Sequence, residues 1–320
     1  MVSGKYKMKY RTFHNTGLTV SEIGIGTNRF GHNVDQKEVN NILTACKNYG
    51  VNFLDTANVY ANGRSEECIG KYLKDNRKDF VIATKVGWPN DDDKGHGRLS
   101  AVNVNYHVEN SLKKLNTDYI DILYLHKWDE ITPISETLRN INILINQGKI
   151  RYLAISNFNQ WQTALTYNLA KTTYDIDIIA LQSEFNLIKR NIFSEMEDLL
   201  KYLNINFIPF FPLASGFLTG KYKKDIIPVG SRGEWSDNMK EMFSDKYYKY
   251  IEELEVITKI KKISLSELAI NWLLCFGNIT SVICGVRSVK QLEMNIKSIN
   301  CILSKEELEQ IDAAYKILVS

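Results

Sequence analysis

The stretch VNFLDTANVYANGRSEECIG, residues 51–70, decides the fold. Its apolar run Val51–Leu54 is typical of a buried strand, and the chain turns polar at Asp55. Tyr60 follows in a predicted loop, and Ser65 can cap the helix that comes next. A strand, a loop that bears a carboxylate and a phenol, and a helix make up one unit of an α/β barrel. Such barrels build their chemistry on this strand-to-helix face.

The same alternation continues along the chain on both sides of this stretch. We predict eight strands, at residues 23–27, 51–54, 80–85, 119–125, 150–155, 178–182, 206–210 and 281–284. The predicted helices lie at residues 36–49, 65–74, 101–115, 132–148, 159–170, 191–203, 238–260, 264–276, 289–299 and 305–318. This order predicts a (β/α)8 TIM barrel with an N-terminal β-hairpin at residues 10–20 and an extra C-terminal helix. We expect residues 1–320 to form a single domain.

A doubly wound open sheet is the alternative fold. It is expected to carry a glycine-rich fingerprint of three glycines after its first strand. Here that place holds Gly24 and Gly26 without the third glycine, which favours the barrel.

Composition and charge argue against several classes of partner. The net charge of +3 comes from 40 basic and 37 acidic residues, without the basic field that indicates nucleic acid or a membrane surface. The five cysteines include no CxxC pair, which favours free thiols in a reducing compartment. The N-terminus lacks the apolar core of a signal peptide and no apolar run approaches a membrane span, so we expect a cytoplasmic protein. The histidines and cysteines show no metal-ligand spacing, and the oligomeric state stays open.

Polar residues stand where the apolar strands end, and in a barrel these ends meet at one mouth. They are Asp55, Lys85, His126, Ser156 with Asn157, and Gln182. A free tyrosine has a pKa of about 10, so we expect the Lys85 ammonium to lower the pKa of Tyr60 while Asp55 holds Lys85 charged. Tyr60 would then act as a general acid toward a carbonyl oxygen that His126 positions. None of these groups can deliver hydride, so a cofactor must.

An ordered set of segments resembles the aldo-keto reductase superfamily over essentially the whole chain. The segments are DTANVYANGRSEECIG (55–70), the strand-ending Lys85, YLHKWD (124–129), GKIRYLAISNF (148–158), LQSEFN (181–186), PLASGFLTGKY (212–222) and ICGVRSVKQLEMN (283–295). The resemblance implies an NADPH-dependent reductase of aldehydes or ketones whose catalytic tetrad is Asp55, Tyr60, Lys85 and His126. It also implies that the hairpin closes the bottom of the barrel.

The resemblance further implies which residues bind the cofactor. Ser156, Asn157 and Gln182 would hold the nicotinamide carboxamide, and Phe210 would stack on the ring where the family usually has a tyrosine. The loop over the pyrophosphate and the segment around the adenosine phosphate would contribute Leu213, Ser215, Lys221, Gly285, Arg287, Gln291 and Asn295. Arg287 can grip a 2′-phosphate bidentately, which favours NADP(H) over NAD(H).

The substrate and two alternative functions stay open at this point. Trp88 and Trp128 could line a substrate pocket or could pack within their own loops. The loops expected to build that pocket, at residues 28–34, 86–100, 127–131 and 211–237, do not identify the small carbonyl compound. Lys85 could instead form a Schiff base, as in aldolases. Potassium-channel β subunits also resemble this superfamily and act chiefly as cofactor-binding partners, but we expect no long inactivating segment before the first strand here.

Overall fold

A closed barrel of eight parallel strands forms the centre of this structure, a computed structural model that describes residues 7–224, 226–234 and 236–319. An antiparallel hairpin precedes it, with strands β1 (Tyr10–Thr12) and β2 (Thr19–Ser21). The barrel strands are β3 (Ile23–Gly26), β4 (Phe53–Asp55), β5 (Val81–Val86), β6 (Ile120–Leu125), β7 (Ile150–Ser156), β8 (Ile178–Glu184), β9 (Asn206–Phe210) and β10 (Val282–Gly285). They follow chain order around the barrel, and β10 closes it by pairing with both β3 and β9. The predicted fold class is confirmed, and each predicted strand end lies within two residues of the observed one.

Helices surround the barrel in the predicted alternation. They are α1 (Gln36–Tyr49), α2 (Arg64–Leu73), α3 (Ala101–Leu115), α4 (Ile134–Asn146), α5 (Gln160–Tyr174), α6 (Asn191–Leu203), α7 (Asp237–Lys240), α8 (Asp245–Lys261), α9 (Leu265–Leu274), α10 (Val289–Ile296) and α11 (Lys305–Val319). The ends of α1 show how local sequence sets these bounds. The Asp35 side chain accepts a hydrogen bond from the Glu38 amide, and Gly50 ends the helix in the left-handed region with φ of 75°.

Besides shifts of a few residues at helix ends, the long loop after β9 and the helix that follows it differ from the sequence prediction. The helix predicted at 238–260 is two helices, α7 and α8. The predicted loop 211–237 contains 3-10 turns at Ala214–Thr219 and Arg232–Glu234. Across the described ranges, 7–224, 226–234 and 236–319, no helix is both long enough and apolar enough to cross a bilayer. Residues 1–6, which entered the prediction of localisation, lie outside those ranges.

Strand alternation sorts the apolar side chains into two cores, because successive residues of a strand point to opposite faces. On β6, Leu123 and Leu125 pack outward with the helices, whereas Ile122 and Tyr124 point into the barrel. The hairpin residue Phe13 joins the inner core, edge-on to the Phe53 ring with the centroids 6.2 Å apart. The hairpin therefore closes the bottom of the barrel, as the resemblance implied.

Arg11 fastens the hairpin to the rest of the molecule. Its guanidinium donates to the carbonyl oxygens of Leu274 and Ile279, both at 2.7 Å, and to that of Phe276 at 3.2 Å. It also forms an ion pair with Glu22 at 2.8 Å. One side chain thus binds carbonyl groups at the end of α9 and in the segment that follows it.

Candidate active site

Lys85 lies at the centre of a cluster of buried polar side chains at the carboxyl ends of the strands. Its Nζ donates to Asp55 Oδ2 at 2.7 Å and to the Thr56 carbonyl oxygen at 2.8 Å, and lies 3.5 Å from the Tyr60 hydroxyl. On the other side of the carboxylate, Gln182 Nε2 donates to Asp55 Oδ1 at 2.8 Å. Lys85 and Asp55 are 0 % and 2 % exposed. Buried charges persist only when they are paired and hydrogen-bonded, so this network fixes the ammonium next to the phenol.

Strand geometry explains why these residues meet. Asp55 and Lys85 point into the barrel from the neighbouring strands β4 and β5, where Asp55 stands opposite Ala83, two residues before Lys85. Tyr60 reaches them from the segment between β4 and α2. There, Ala61 and Asn62 adopt left-handed backbone conformations, with φ of 51° and 57°, before the chain enters α2.

The electrostatics of Tyr60 and Lys85 keep both groups protonated at neutral pH. Burial raises the pKa of Tyr60, Lys85 opposes that rise, and Asp55 adds to it. The expectation that Lys85 lowers the pKa of Tyr60 therefore holds for the influence of the ammonium itself. The net pKa nevertheless lies above the ordinary value, because desolvation of the phenolate outweighs that influence. For Lys85, burial by itself lowers the pKa, but Asp55 and Tyr60 together raise it above the ordinary value.

His126 follows β6 and forms one wall of the site. Its ring lies edge-on to the Tyr60 ring, with centroids 6.1 Å apart, and 4.9 Å from the Trp88 ring. Burial, and then the charge of Lys85, lower the pKa of His126 well below its ordinary value, so the imidazole is neutral. Its Nδ1 is buried, and no residue in the described ranges hydrogen-bonds to it. A neutral imidazole next to the phenol can thus hydrogen-bond a ligand without competing for the proton of Tyr60.

A cavity of about 1180 Å³ opens over these residues. Asp55, Tyr60, His126 and Trp88 line it. So do all the residues that the resemblance assigned to the cofactor: Ser156, Asn157, Gln182, Phe210, Leu213, Ser215, Lys221, Gly285, Arg287, Gln291 and Asn295. Ligand pockets usually measure about 300–1,000 Å³, so this space accommodates a dinucleotide and a small substrate together.

Trp88 and Trp128 have different surroundings. Trp88 is 39 % exposed in the cavity wall, and the Lys127 ammonium lies 5.4 Å from its ring. Trp128 is not among the described residues that line the cavity. Its ring packs edge-on against Phe158 and Trp161 at centroid distances of 5.4 Å and 5.0 Å. Trp128 thus packs against the loop after β7 and against α5, and its place in the substrate site stays a prediction.

Two arginines without a role predicted from the sequence also line the cavity. Arg29 follows β3, Arg232 begins the 3-10 turn Arg232–Glu234, and both are near Arg287. Burial and then Arg287 lower the pKa of Arg29, and burial followed by Arg29 and Arg287 lowers that of Arg232. Arg232 Nη1 also donates to Ser215 Oγ at 3.3 Å. Three guanidinium groups converging from three loops suit a ligand with several negative charges.

A sequence signal existed for only one of these arginines. Arg29 comes three residues after β3 ends, where the reasoning about polar strand ends applies. Arg232 lies in the middle of the long loop after β9, and nothing in its local sequence separates it from a solvated charge.

The chain matches a known protein family over most of its length. The profile of the Aldo/keto reductase family matches residues 22–316. The chain belongs to the aldo/keto reductase family. The resemblance of the sequence motifs is thereby confirmed, and family membership supports an oxidoreductase.

Relatives of this aldo/keto reductase carry names of two kinds. The chain is 36 % identical, over 96 % of each chain, to an Oryza sativa subsp. japonica protein named "Probable voltage-gated potassium channel subunit beta". It is 30 % identical to the "L-glyceraldehyde 3-phosphate reductase" of Escherichia coli, over 96 % of this chain and 92 % of that one. It is also 30 % identical to an oxidoreductase of Bacillus subtilis, over 95 % of each chain.

Proposed function

We propose that this aldo/keto reductase reduces an aldehyde or ketone to the alcohol, reversibly, with NADPH as the hydride source and Tyr60 as the proton donor. The observation that carries the proposal is the position of the Lys85 ammonium. It pairs with Asp55 at 2.7 Å and lies 3.5 Å from the Tyr60 hydroxyl, beneath a cavity large enough for a dinucleotide.

The residues of the cavity fit the cofactor. A bound nicotinamide ring would supply the hydride that no side chain of this chain can supply. Ser156, Asn157 and Gln182 offer hydrogen-bonding groups for the carboxamide, and the Phe210 ring offers a stacking face. The convergence of Arg29 and Arg232 on Arg287 supports a ligand with a 2′-phosphate, and hence NADP(H) rather than NAD(H).

The tetrad residues have separate roles in the proton transfer. The Tyr60 hydroxyl donates its proton to the carbonyl oxygen, and the charge left on the phenolate is stabilised by Lys85. Asp55 keeps Lys85 charged and oriented. His126, being neutral, hydrogen-bonds the carbonyl oxygen and positions it toward Tyr60. Because the pKa of Tyr60 is raised, the phenol holds its proton at neutral pH, which suits reduction better than oxidation.

The surroundings of Lys85 argue against a Schiff-base mechanism. A nucleophilic lysine must lose its proton, and enzymes achieve this by lowering the lysine pKa. Here the net pKa of Lys85 is raised, and its ammonium is fully buried and donates to two oxygen atoms. Borohydride added with a carbonyl substrate should therefore trap no adduct on Lys85, and a trapped adduct would support the alternative.

A role as a cofactor-binding partner is the second candidate, favoured by the 36 % identity to a protein named as a channel β subunit. Such a protein needs the cavity but does not need turnover. The two candidates differ in the consequence of losing the Tyr60 hydroxyl. Only the reductase depends on it, because cofactor binding does not involve the proton.

NADPH oxidation across a panel of aldehydes, ketones, quinones and keto-sugars tests the proposal. L-Glyceraldehyde 3-phosphate belongs in that panel because one relative is named for it. We expect at least one substrate to be turned over, and Tyr60→Phe to lower turnover by orders of magnitude while NADPH binding is retained. Tyr202→Phe, at a tyrosine that is 87 % exposed, is the matched control and should behave as wild type. Equal turnover by wild type and Tyr60→Phe would move the conclusion to the binding role.

A further inference from the structure

Tyr124 occupies an unusual position in the barrel interior. It lies on β6 with its side chain pointing inward, and it stands directly opposite Lys85 in the register of β5 and β6. It is fully buried, one layer above Ile122 on the same inward face. The other buried members of this inner core are phenylalanine, isoleucine, valine and alanine residues, and the second tyrosine that packs against it, Tyr152, is only partly buried, so a fully buried phenol is not what apolar packing alone favours.

The face of the Tyr124 ring, rather than its hydroxyl, meets the ammonium. Lys85 Nζ lies 5.7 Å from the ring centroid, within the range of a cation–π interaction. The hydroxyl lies beside Gln182 and in the field of Asp55, without completing a well-formed hydrogen bond to any residue in the described ranges. Burial strengthens an interaction of this kind, because no water competes for the cation.

The other groups that contact the Lys85 ammonium come from the end of β4 and from the segment that follows it. Asp55 and the Thr56 carbonyl accept its hydrogen bonds, and Tyr60 at the mouth places its hydroxyl 3.5 Å and its ring centroid 5.1 Å from Nζ. The charge of Lys85 also acts on His126, which follows β6 on the same inward face as Tyr124. The Tyr124 ring adds a contact from the neighbouring strand β6 to those that Asp55, Thr56 and Tyr60 make with the ammonium.

We propose that Tyr124 is a positioning residue of the active site, whose ring face holds the Lys85 ammonium in place toward Asp55 and Tyr60. The inference rests on the proposed reductase function, because its consequence is a faster proton transfer from Tyr60. A second consequence is independent of catalysis: the Tyr124 ring, 5.7 Å from Nζ, should add its own ring-current shift at Lys85 to that of the Tyr60 ring at 5.1 Å, and Tyr124→Leu removes only the first.

A series of substitutions in the full-length protein separates the ring from its bulk. Tyr124→Phe keeps the ring, and incorporation of difluorinated and trifluorinated phenylalanine at position 124 weakens its negative face at nearly constant shape. Tyr124→Leu removes the ring. Ile122→Ala, on the same inward face one layer below, is the control for loss of packing. For each protein, kcat, KM and the Kd for NADPH are measured, together with the ¹³C-ε lysine NMR signal that Lys85→Met assigns to Lys85.

We expect kcat to fall stepwise with fluorination and about tenfold in Tyr124→Leu, with KM and Kd within about threefold of wild type. Tyr124→Phe should keep both kcat and the ring-shifted lysine signal, and Ile122→Ala should keep kcat. Equal kcat for phenylalanine and its trifluorinated form, or an equal loss in Ile122→Ala, would overturn the proposal. If the wild-type protein itself shows no turnover, the proposed reductase function is refuted instead. The lysine signal then decides whether the ring holds Lys85, because a signal unchanged in Tyr124→Leu would refute the placement.

Discussion

Replacing Lys85 with methionine removes the ammonium while keeping a side chain of similar length, and two separate losses should follow. The first concerns catalysis. Lys85 Nζ is 3.5 Å from the Tyr60 hydroxyl, where the phenolate charge develops. Two unit charges about 4 Å apart interact by about 4 kcal/mol at an effective dielectric constant of about 20. Since about 1.4 kcal/mol is a factor of ten in rate, we expect kcat to fall about 10³-fold.

The second loss concerns stability. Without Lys85, the Asp55 carboxylate is left 2 % exposed and unpaired, with Gln182 as its remaining side-chain donor. Breaking a buried ion pair in this way costs about 3–5 kcal/mol in the free energy of unfolding. The double variant Lys85→Met with Asp55→Asn removes the stranded charge and keeps an oxygen atom for Gln182. It should therefore regain most of the lost stability but none of the activity.

The measurements are steady-state NADPH oxidation with a substrate found in the panel, NADPH binding by fluorescence titration, and urea unfolding, all at neutral pH. We expect wild type and Lys85→Met to bind NADPH alike, because Lys85 acts on the proton and does not line the cavity. A Lys85→Met kcat within tenfold of wild type would refute the electrostatic reasoning. A double variant no more stable than the single one would refute the account of Asp55.

Three further predictions concern residues outside that pair. Arg287→Ala should weaken NADPH binding about 10- to 100-fold and NADH binding little, because charge-assisted hydrogen bonds to the 2′-phosphate are lost. Fluorescence titration with both cofactors measures the two affinities, and equal losses would contradict the prediction. His126 is neutral when folded because burial depresses its pKa, so it contributes stability that is complete above the unfolded value of about 6.5 and is lost as pH falls below it. Urea unfolding at pH 7.5 and pH 5 should therefore show a smaller acid-induced loss in His126→Gln than in wild type, and identical losses would count against the assignment. Arg11→Ala should lower the free energy of unfolding by about 2 kcal/mol, because the Leu274 and Ile279 carbonyl oxygens lose their guanidinium donor. Chemical denaturation against the exposed-site control Arg64→Ala measures the difference.

Local sequence was enough for the barrel and for several of the residues at its mouth. Apolar runs of strand length, helical periodicity and caps such as Asp35 are properties of neighbouring residues, and they predicted every barrel strand. Asp55, Lys85 and His126 could be found in the same way, because a polar residue that ends an apolar strand stands out within a few positions. The hairpin lid over the bottom of the barrel followed from the family resemblance.

Only the tertiary structure decided which side chains face one another and how far each is buried. Tyr124 reads as an ordinary residue of an apolar strand until the register of β5 and β6 sets its ring beside Lys85. Arg232 becomes part of the candidate site only because three loops distant in the chain converge. The net pKa of Tyr60 rises, against the sequence expectation, because desolvation depends on the whole surrounding fold. Pattern along the chain is a local property, whereas proximity and burial belong to the folded molecule.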